Sequence, residues 1–377
     1  MVVAKPDSSR GGSGSTTTTT TDSKCNMVEA ETKCSNARTY GTAAMCRVPF
    51  TVLTYNLYPG PPVPYTAPDL FPHRIAQQIK CMRDLNVDIM CLQELYCPKA
   101  FAALIEAFPD YDYRWDAGFH VANDDARPWR MRPTPIPLVL LLATLGLALS
   151  ALGLFVWRPF FILLVLLVGI CVLLPPHSGL VAWLTHGGTG LAVLVRRDRA
   201  DIVDHDVRYF KHQAGDVMNR IAWRGWTRTA IKFKPTCACG GSSRLGFVYN
   251  THLNALGARG HRAIQADELA CAITSTPFGK LVACGDYNEE PAFDSTVREF
   301  LEINCELMNA DPSQTATYCP TRNRLAWCGG VVNKCLDHIY FKTGADAGLI
   351  PSLPTRVVFT DPALCLSDHY GVLASFE

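Results

Sequence analysis

The chain has 377 residues, 35 of them basic and 34 acidic, for a net charge of +1. That balance argues against a nucleic-acid partner, which usually shows as a basic excess or stripe; the run RRDR at 196–199 reads as a solvated strand end. Sixteen cysteines in so long a chain do not make a disulfide-dense mini-domain, and 48% hydrophobic residues suit a globular core carrying an added apolar element.

Residues 1–47 are dominated by Ser, Thr and Gly and lack the sustained apolar core of a signal peptide, so a disordered tail is expected there. FTVLTYNL (50–57) is rich in β-branched and aromatic residues and stops at Pro59-Gly60-Pro61-Pro62, which predicts a strand and a turn. HRIAQQIKCMRDL (73–85) sets Ile75, Ile79, Met82 and Leu85 on one helical face. VDIMCLQEL (87–95) follows as a buried strand, and PKAFAALIEAF (98–108) as a helix. Further strands are predicted at 189–198, 226–233, 244–254, 279–288, 335–341 and 369–377, with an amphipathic helix at 258–275. Alternating sheets and helices of this kind place residues 48–377 in the α/β or α+β class. Cys91 and Cys284 fall inside apolar runs, where a small buried thiol is expected. CAC (237–239) and Cys319, Cys328 and Cys335 match no paired CxxC zinc spacing; reduced thiols are favoured, with one or two disulfides left open.

The interruption at 134–176 is of another kind. Leu138 to Trp157 gives twenty positions without a charge and Phe160 to Leu174 fifteen more, separated by Arg158-Pro159. The first is long enough to span a bilayer and the second is short, so a spanning or a re-entrant helical hairpin is expected over 137–176. Arg127, Arg130 and Arg132 precede it and Arg196, Arg197 and Arg199 follow, against Arg158 at its turn. That asymmetry predicts a membrane protein whose catalytic domain faces the cytosol, with the bilayer as a partner.

Polar groups crowd the strand ends: Asn56, Glu94, His252 with Asn254, Asp286 with Asn288, Asp337, and Asp368-His369. One such end is a turn signal; six are hard to explain by turns alone. Carboxylates and amides are hard-oxygen ligands suited to Mg²⁺, and histidines beside them serve proton transfer and phosphate contact. The set describes metal-assisted hydrolysis of a phosphate ester. His338 follows Asp337 along a strand, hence points to the other face, and a structural role is expected of it.

TYNLY (54–58), LQEL (92–95), THLNA (251–255), GDYNEEP (285–291), LDHIYF (336–341) and SDHYGVLASF (367–376) stand in the order found in the endonuclease/exonuclease/phosphatase superfamily, which the chain resembles over about 48–377. The resemblance implies a four-layered α/β sandwich, the DNase I-like fold, with its site at one end of two sheets and the hydrophobic hairpin as an insertion. It implies that Glu94, Asn56 and Asp368 lie at a Mg²⁺ ion. His369 is implied as the general base on the attacking water, oriented by Asp337. Asp286 and Asn288 would position nucleophile and phosphate, and His252 would stabilise charge on the phosphoryl oxygens. Asn254 is either a substrate contact or a helix cap.

Within that superfamily the chain is most similar to the neutral sphingomyelinases. Inositol polyphosphate 5-phosphatases carry a Trp before GD and a PxWxDR motif, where this chain has ACGDYNEEP and KCLDHIYF. The endonucleases carry a basic bias that is absent here. AWRGWTRTAIKF (222–233) is similar to the segment in which sphingomyelinases have a basic residue before Gly, which puts Arg224 in the place of a residue that is usually Lys. The implied reaction is Mg²⁺-dependent cleavage of a sphingolipid phosphodiester to ceramide and a phosphorylated head group, with lipid proximity from the hairpin as a second reason for that substrate. Alternatives are a nuclease or phosphoinositide phosphatase of the same superfamily, or a non-catalytic membrane scaffold that binds lipid.

Overall fold

The computed structural model describes residues 49–58, 70–116, 188–213, 223–235, 244–255, 259–277, 279–289, 295–326, 331–343, 349–364 and 366–377. All of them fall in one unit of the chain, Arg47–Thr236 with Ser242–Glu377. Among the described residues the strands are β1 (Phe50–Asn56), β2 (Ile89–Gln93), β3 (Tyr111–Trp115), β4 (Ala192–Arg196), β5 (Ala200–Tyr209), β6 (Gly225–Phe233), β7 (Leu245–His252), β8 (Lys280–Asp286), β9 (Leu307–Asn309), β10 (Asp337–Lys342), β11 (Pro351–Val358) and β12 (Gly371–Phe376). The helices are α1 (Leu70–Leu85), α2 (Pro98–Ala107), α3 (Arg259–Thr274) and the short α4 (Thr296–Glu299), which runs into a π-helical turn, Phe300–Asn304.

The strands form two six-stranded sheets, ordered β11-β12-β1-β2-β4-β3 and β5-β6-β7-β8-β10-β9. Their inner faces meet through Val52, Ile89, Cys91, Val193 and Phe376 from one sheet and Ile231, Phe233, Val248, Cys284 and Ile339 from the other. On the outer face of the first sheet, Leu53, Tyr55, Met90 and Leu92 pack on Ile75 and Met82 of α1 and Ala100 and Leu104 of α2. On the second, Phe247, Tyr249, Leu281 and Tyr340 pack on Ala266, Leu269 and Ile273 of α3. The result is the four-layered helix–sheet–sheet–helix sandwich expected from the sequence. Cys91 and Cys284 are buried core thiols outside any disulfide.

Strand direction decides where the polar ends gather. β1 runs parallel to β2, and β7 parallel to β8, so Asn56, Glu94, His252 and Asp286 end up at C-terminal strand ends. β12 is antiparallel to β1, β6 to β7 and β10 to β8, which brings the starts of β12, β6 and β10 to that same end. In register, His252 pairs with Asp286, and Asp286 with Asp337. Just below this end the apolar contact between the sheets gives way to amides: Gln93 Nε2 donates to Asn250 Oδ1 at 2.7 Å, and Asn250 Nδ2 donates to the carbonyls of Leu92 and Ala192 at 3.0 Å each.

The membrane placement does not carry over. No helix among the described residues is long and apolar enough to cross a bilayer. The longest, α1 and α3, have 16 residues each, about 24 Å at 1.5 Å per residue against a hydrocarbon core of about 30 Å, and both carry charges. The expected membrane localisation with a cytosol-facing domain is thereby corrected. The predicted hairpin at 134–176 and the tail at 1–47 lie outside the described residues. The connection from 117 to 187 joins neighbouring antiparallel strands β3 and β4, paired Trp115 to Ala192. Its two ends are tied together by Asp116 Oδ2, which accepts from the Thr189 backbone N–H at 2.8 Å and the Thr189 hydroxyl at 2.9 Å.

Candidate active site

His369 is the centre of the cluster. Its Nδ1 lies 2.7 Å from Asp337 Oδ2, and its Nε2 lies 3.7 Å from Asp286 Oδ2. Burial alone would lower the pKa of this imidazole, but the surrounding carboxylates of Asp337, Asp286 and Asp368 outweigh it and raise the ring well above the usual histidine value. The pair is aligned by a loop that sequence reasoning did not single out. Thr317 Oγ1 accepts the backbone N–H groups of Leu336 and Asp337 at 3.0 and 3.1 Å, and the Thr317 carbonyl accepts the Tyr370 N–H at 2.7 Å. Tyr318 closes one side with an edge-on ring contact to His369 at 5.2 Å.

Asp286 links the two sheets across the site. Its Oδ2 accepts from Asn56 Nδ2 at 3.0 Å and lies 3.3 Å from His252 Nε2; its Oδ1 accepts the Asn288 N–H at 2.9 Å. Burial pushes its pKa up to about 6 even though His369 pulls the other way. The backbone here is specialised. Gly285 has φ +151°, and a Cβ at that position would stand 2.0 Å from the Thr251 carbonyl oxygen, so only glycine fits before the aspartate. Asn288 has φ +51° and Glu94 φ +58°. Asparagine tolerates that region; glutamate does so at a cost, which the surrounding hydrogen bonds must hold.

Glu94 is only partly covered, its carboxylate 4.0 Å from His252 Nε2. Burial raises its pKa, against the pull of Arg224 and His369. Asp368 is raised to about 7, chiefly by burial and further by Glu94. Its loop is pinned by Ser367, whose Oγ donates to the Asn56 carbonyl at 2.6 Å, and by Gln78, whose Nε2 donates to the carbonyls of Leu57 and Leu366 at 2.8 Å each. Arg74 from α1 adds a positive charge that acts on Asp368. Neither Gln78 nor Arg74 carries a sequence signal beyond its place on a helix.

His252 is buried, and burial followed by the charges of Arg224 and His369 drives its pKa well below the usual value, so the ring is neutral. Arg224 Nη1 stands 2.7 Å from Nδ1 and 2.8 Å from Nε2 of that ring. Asn254 is fully buried; its backbone N–H donates to Gln265 Oε1 at 3.0 Å, while its side-chain Nδ2 and Oδ1 have no partner among the described residues. A helix-capping role for the Asn254 side chain is therefore not seen. Asn288 Nδ2 donates to the Leu253 carbonyl at 3.0 Å. His338 faces away from the cluster, with Nε2 3.1 Å from the Cys335 carbonyl and its ring among Tyr287 and Tyr340.

All ten residues singled out from sequence thus sit at one end of the sandwich. Among the described residues, Asp286, Asp337 and His369 offer ligand atoms within 4.8 Å of one another, a group able to hold a metal ion. Glu94 and Asp368 add carboxylates beside it. Three acids raised by burial, together with the unpartnered Oδ1 of Asp337, form a donor set that a divalent cation with oxygen preference fits.

Two stacked sheets between helices, with acids, amides and two histidines at one end, define the sandwich of phosphoester hydrolases. The chain belongs to the Endonuclease/Exonuclease/phosphatase family, whose model matches residues 53–369. No curated protein matches it in sequence. Among solved structures it is similar to sphingomyelinase C from Streptomyces griseocarneus, at 16% identity and TM-score 0.55, covering 87% of this chain and 99% of that one. It is also similar to D. rerio TDP2 humanized by 14 mutations, at 12% identity and TM-score 0.55, covering 88% and 100%. A third is an endonuclease/exonuclease/phosphatase from Bacteroides vulgatus, at 15% identity and TM-score 0.55, covering 88% and 99%. At these identities the likeness concerns the fold.

Proposed function

We propose that this protein is a Mg²⁺-dependent phosphodiesterase of the phospholipase C type, acting on a sphingolipid phosphodiester such as sphingomyelin. The observation that carries the reading is the buried His369–Asp337 pair, 2.7 Å apart, set against Asp286 and next to partly covered carboxylates. In this reading Glu94, Asn56 and Asp368 hold the ion. A bound Mg²⁺ neutralises charge on the phosphoryl oxygens.

The chain's own groups do the rest. Asp337 orients His369 by accepting from Nδ1–H, and Nε2 takes a proton from the attacking water once the ring has lost its own. Asp286 and Asn288 orient that water and the phosphate. Neutral His252 donates to a phosphoryl oxygen, supported by Arg224, as negative charge grows there. The side-chain amide of Asn254, buried without a protein partner, supplies another contact to the substrate. Water adds to phosphorus and gives a proton to His369, the bond from phosphorus to the ceramide oxygen breaks, and that oxygen takes up a proton, so that the products are ceramide and the phosphorylated head group.

With the membrane placement corrected, the substrate class rests on the motifs alone: GDYNEEP, LDHIYF and SDHYG, with Arg224 before Gly225. The test is direct. Purified protein with Mg²⁺ should cleave sphingomyelin in mixed micelles, and His369→Ala should abolish the cleavage. Strong cleavage of plasmid DNA with no lipid hydrolysis would overturn the substrate while leaving the chemistry in place.

A further inference from the structure

Tyr96 lies two residues beyond Glu94, outside the motifs quoted from the sequence. Its residue surface is 3% exposed, yet its hydroxyl is buried with no hydrogen-bond partner among the described residues. A buried phenol without a partner is uncommon and costs stability, because the lost contact with water is not replaced.

The ring is held firmly. Gly190 adopts φ +67°, and a Cβ there would stand 2.5 Å from Tyr96 Cε1, so the ring lies directly on the glycine backbone. The segment is pinned on both sides of Leu95, whose N–H donates to the Gly190 carbonyl at 2.8 Å and whose carbonyl accepts from Trp115 Nε1 at 2.7 Å. The Tyr96 N–H donates to the Glu94 carbonyl at 2.8 Å. A phenol fixed this way is a preorganised donor.

A Cβ at Gly225, the residue after Arg224, would stand 2.9 Å from Cγ2 of Thr189, the residue before Gly190, which brings this ring to the Arg224 end of β6. The charged groups around the phenol are Arg224, Glu94, Asp116 and Asp286. None of the four, Glu94 included, accepts from it, since the hydroxyl has no hydrogen-bond partner among the described residues. Arg224 has only donors. Asp116 Oδ2 is already engaged by Thr189 and by the Tyr209 hydroxyl at 2.9 Å. Asp286 is engaged by Asn56 and Asn288. Arg224 Nε, like the Tyr96 hydroxyl, is buried without a partner. Two unmet donors, one cationic and one neutral, call for acceptors, and an anion with several oxygens offers one to each.

From this geometry we infer that Tyr96 is a further phosphate-contacting residue, its phenol donating to a non-bridging phosphoryl oxygen that Arg224 also holds. The inference rests on the phosphodiesterase reading for its reaction but not for its ligand, which is any phosphoryl anion. It assigns Tyr96 a share in binding the phosphate and leaves the lipid specificity to other parts of the site.

The test compares wild type with Tyr96→Phe, which removes the hydroxyl and keeps the ring on Gly190. Inorganic phosphate is titrated calorimetrically into Mg²⁺-saturated protein, and kcat/KM is measured on bis(4-nitrophenyl) phosphate. Loss of one hydrogen bond to a charged group predicts phosphate binding weaker by about 10- to 100-fold. Thermal stability and Mg²⁺ affinity should hold or rise. Unchanged phosphate affinity would overturn the inference, as would a loss that comes with lowered stability and weakened Mg²⁺ binding, or a wild type that binds no phosphate. Should the wild type bind phosphate but cleave no diester, a weakened Tyr96→Phe still supports the contact, and only the proposed reaction falls.

Discussion

Replacing Asp286 by asparagine should remove activity and, in the absence of metal, stabilise the fold. The carboxylate is 1% exposed, and burial raises its pKa from 3.8 to about 6. Holding it charged therefore costs about 3 kcal/mol relative to water. The sign follows from proton linkage. Between about pH 4 and 6 the unfolded chain has released this proton and the folded chain has kept it, so stability falls as pH rises, and the full penalty stands above pH 6. Asparagine carries no such penalty. It can accept from Asn288 through its oxygen, but its amide then meets the Asn56 amide, and one hydrogen bond worth about 1 kcal/mol is lost. The net gain at pH 8 is about 1–2 kcal/mol, a rise in Tm of several degrees for a chain of this size. At pH 4.5, where Asp286 is already neutral when folded, the two proteins should melt together or the variant slightly lower. Differential scanning calorimetry in EDTA at both pH values measures this. A variant destabilised equally at pH 4.5 and pH 8 would refute the reasoning and make Asp286 an ordinary structural carboxylate.

Other outcomes follow from the same geometry. Asp337→Asn should lower kcat by about 10²–10⁴, because His369 loses the partner that orients it, and should move the acidic limb of the pH–rate profile to lower pH, since Asp337 helps hold the His369 pKa up. Mg²⁺ affinity, followed by calorimetry, should increase from pH 5 to pH 8, because Asp368, raised to about 7, must release its proton as the ion binds. Gly285→Ala should yield little folded protein, since its Cβ would sit 2.0 Å from the Thr251 carbonyl oxygen; recovery of normally folded, active material by circular dichroism and assay would contradict that packing.

The sequence expectations locate all eight interior strands and miss all four edge strands, β3, β5, β9 and β11. The reason is physical. An interior strand such as LVACGD is buried on both faces and reads as an apolar run, whereas β5, ADIVDHDVRY, is largely solvated, and β11, PSLPTRVV, carries prolines that an edge tolerates. The candidate site residues were legible because six strand ends carry acids, amides or imidazoles, more than turns alone explain. Their supports were not. Thr317, Ser367 and Gln78 hold the site through backbone groups that any hydroxyl or amide could reach from the right place, and only the fold supplies that place. Tyr96 was hidden for another reason, since a lone tyrosine between Leu95 and Cys97-Pro98 carries no pattern that points to a ligand. The hydrophobic block misled in another way: run length and arginine asymmetry gave a membrane address, while the described helices are too short and too charged to cross one.

The central claim is that water attacks phosphorus at this strand-end cluster. ³¹P NMR of sphingomyelin turnover in ¹⁸O-enriched water, with Mg²⁺, tests it most directly. The account predicts one ¹⁸O in the phosphorylated head group, none in the ceramide, and no turnover by His369→Ala. Turnover by His369→Ala at the wild-type rate, or label in the ceramide oxygen, would contradict it.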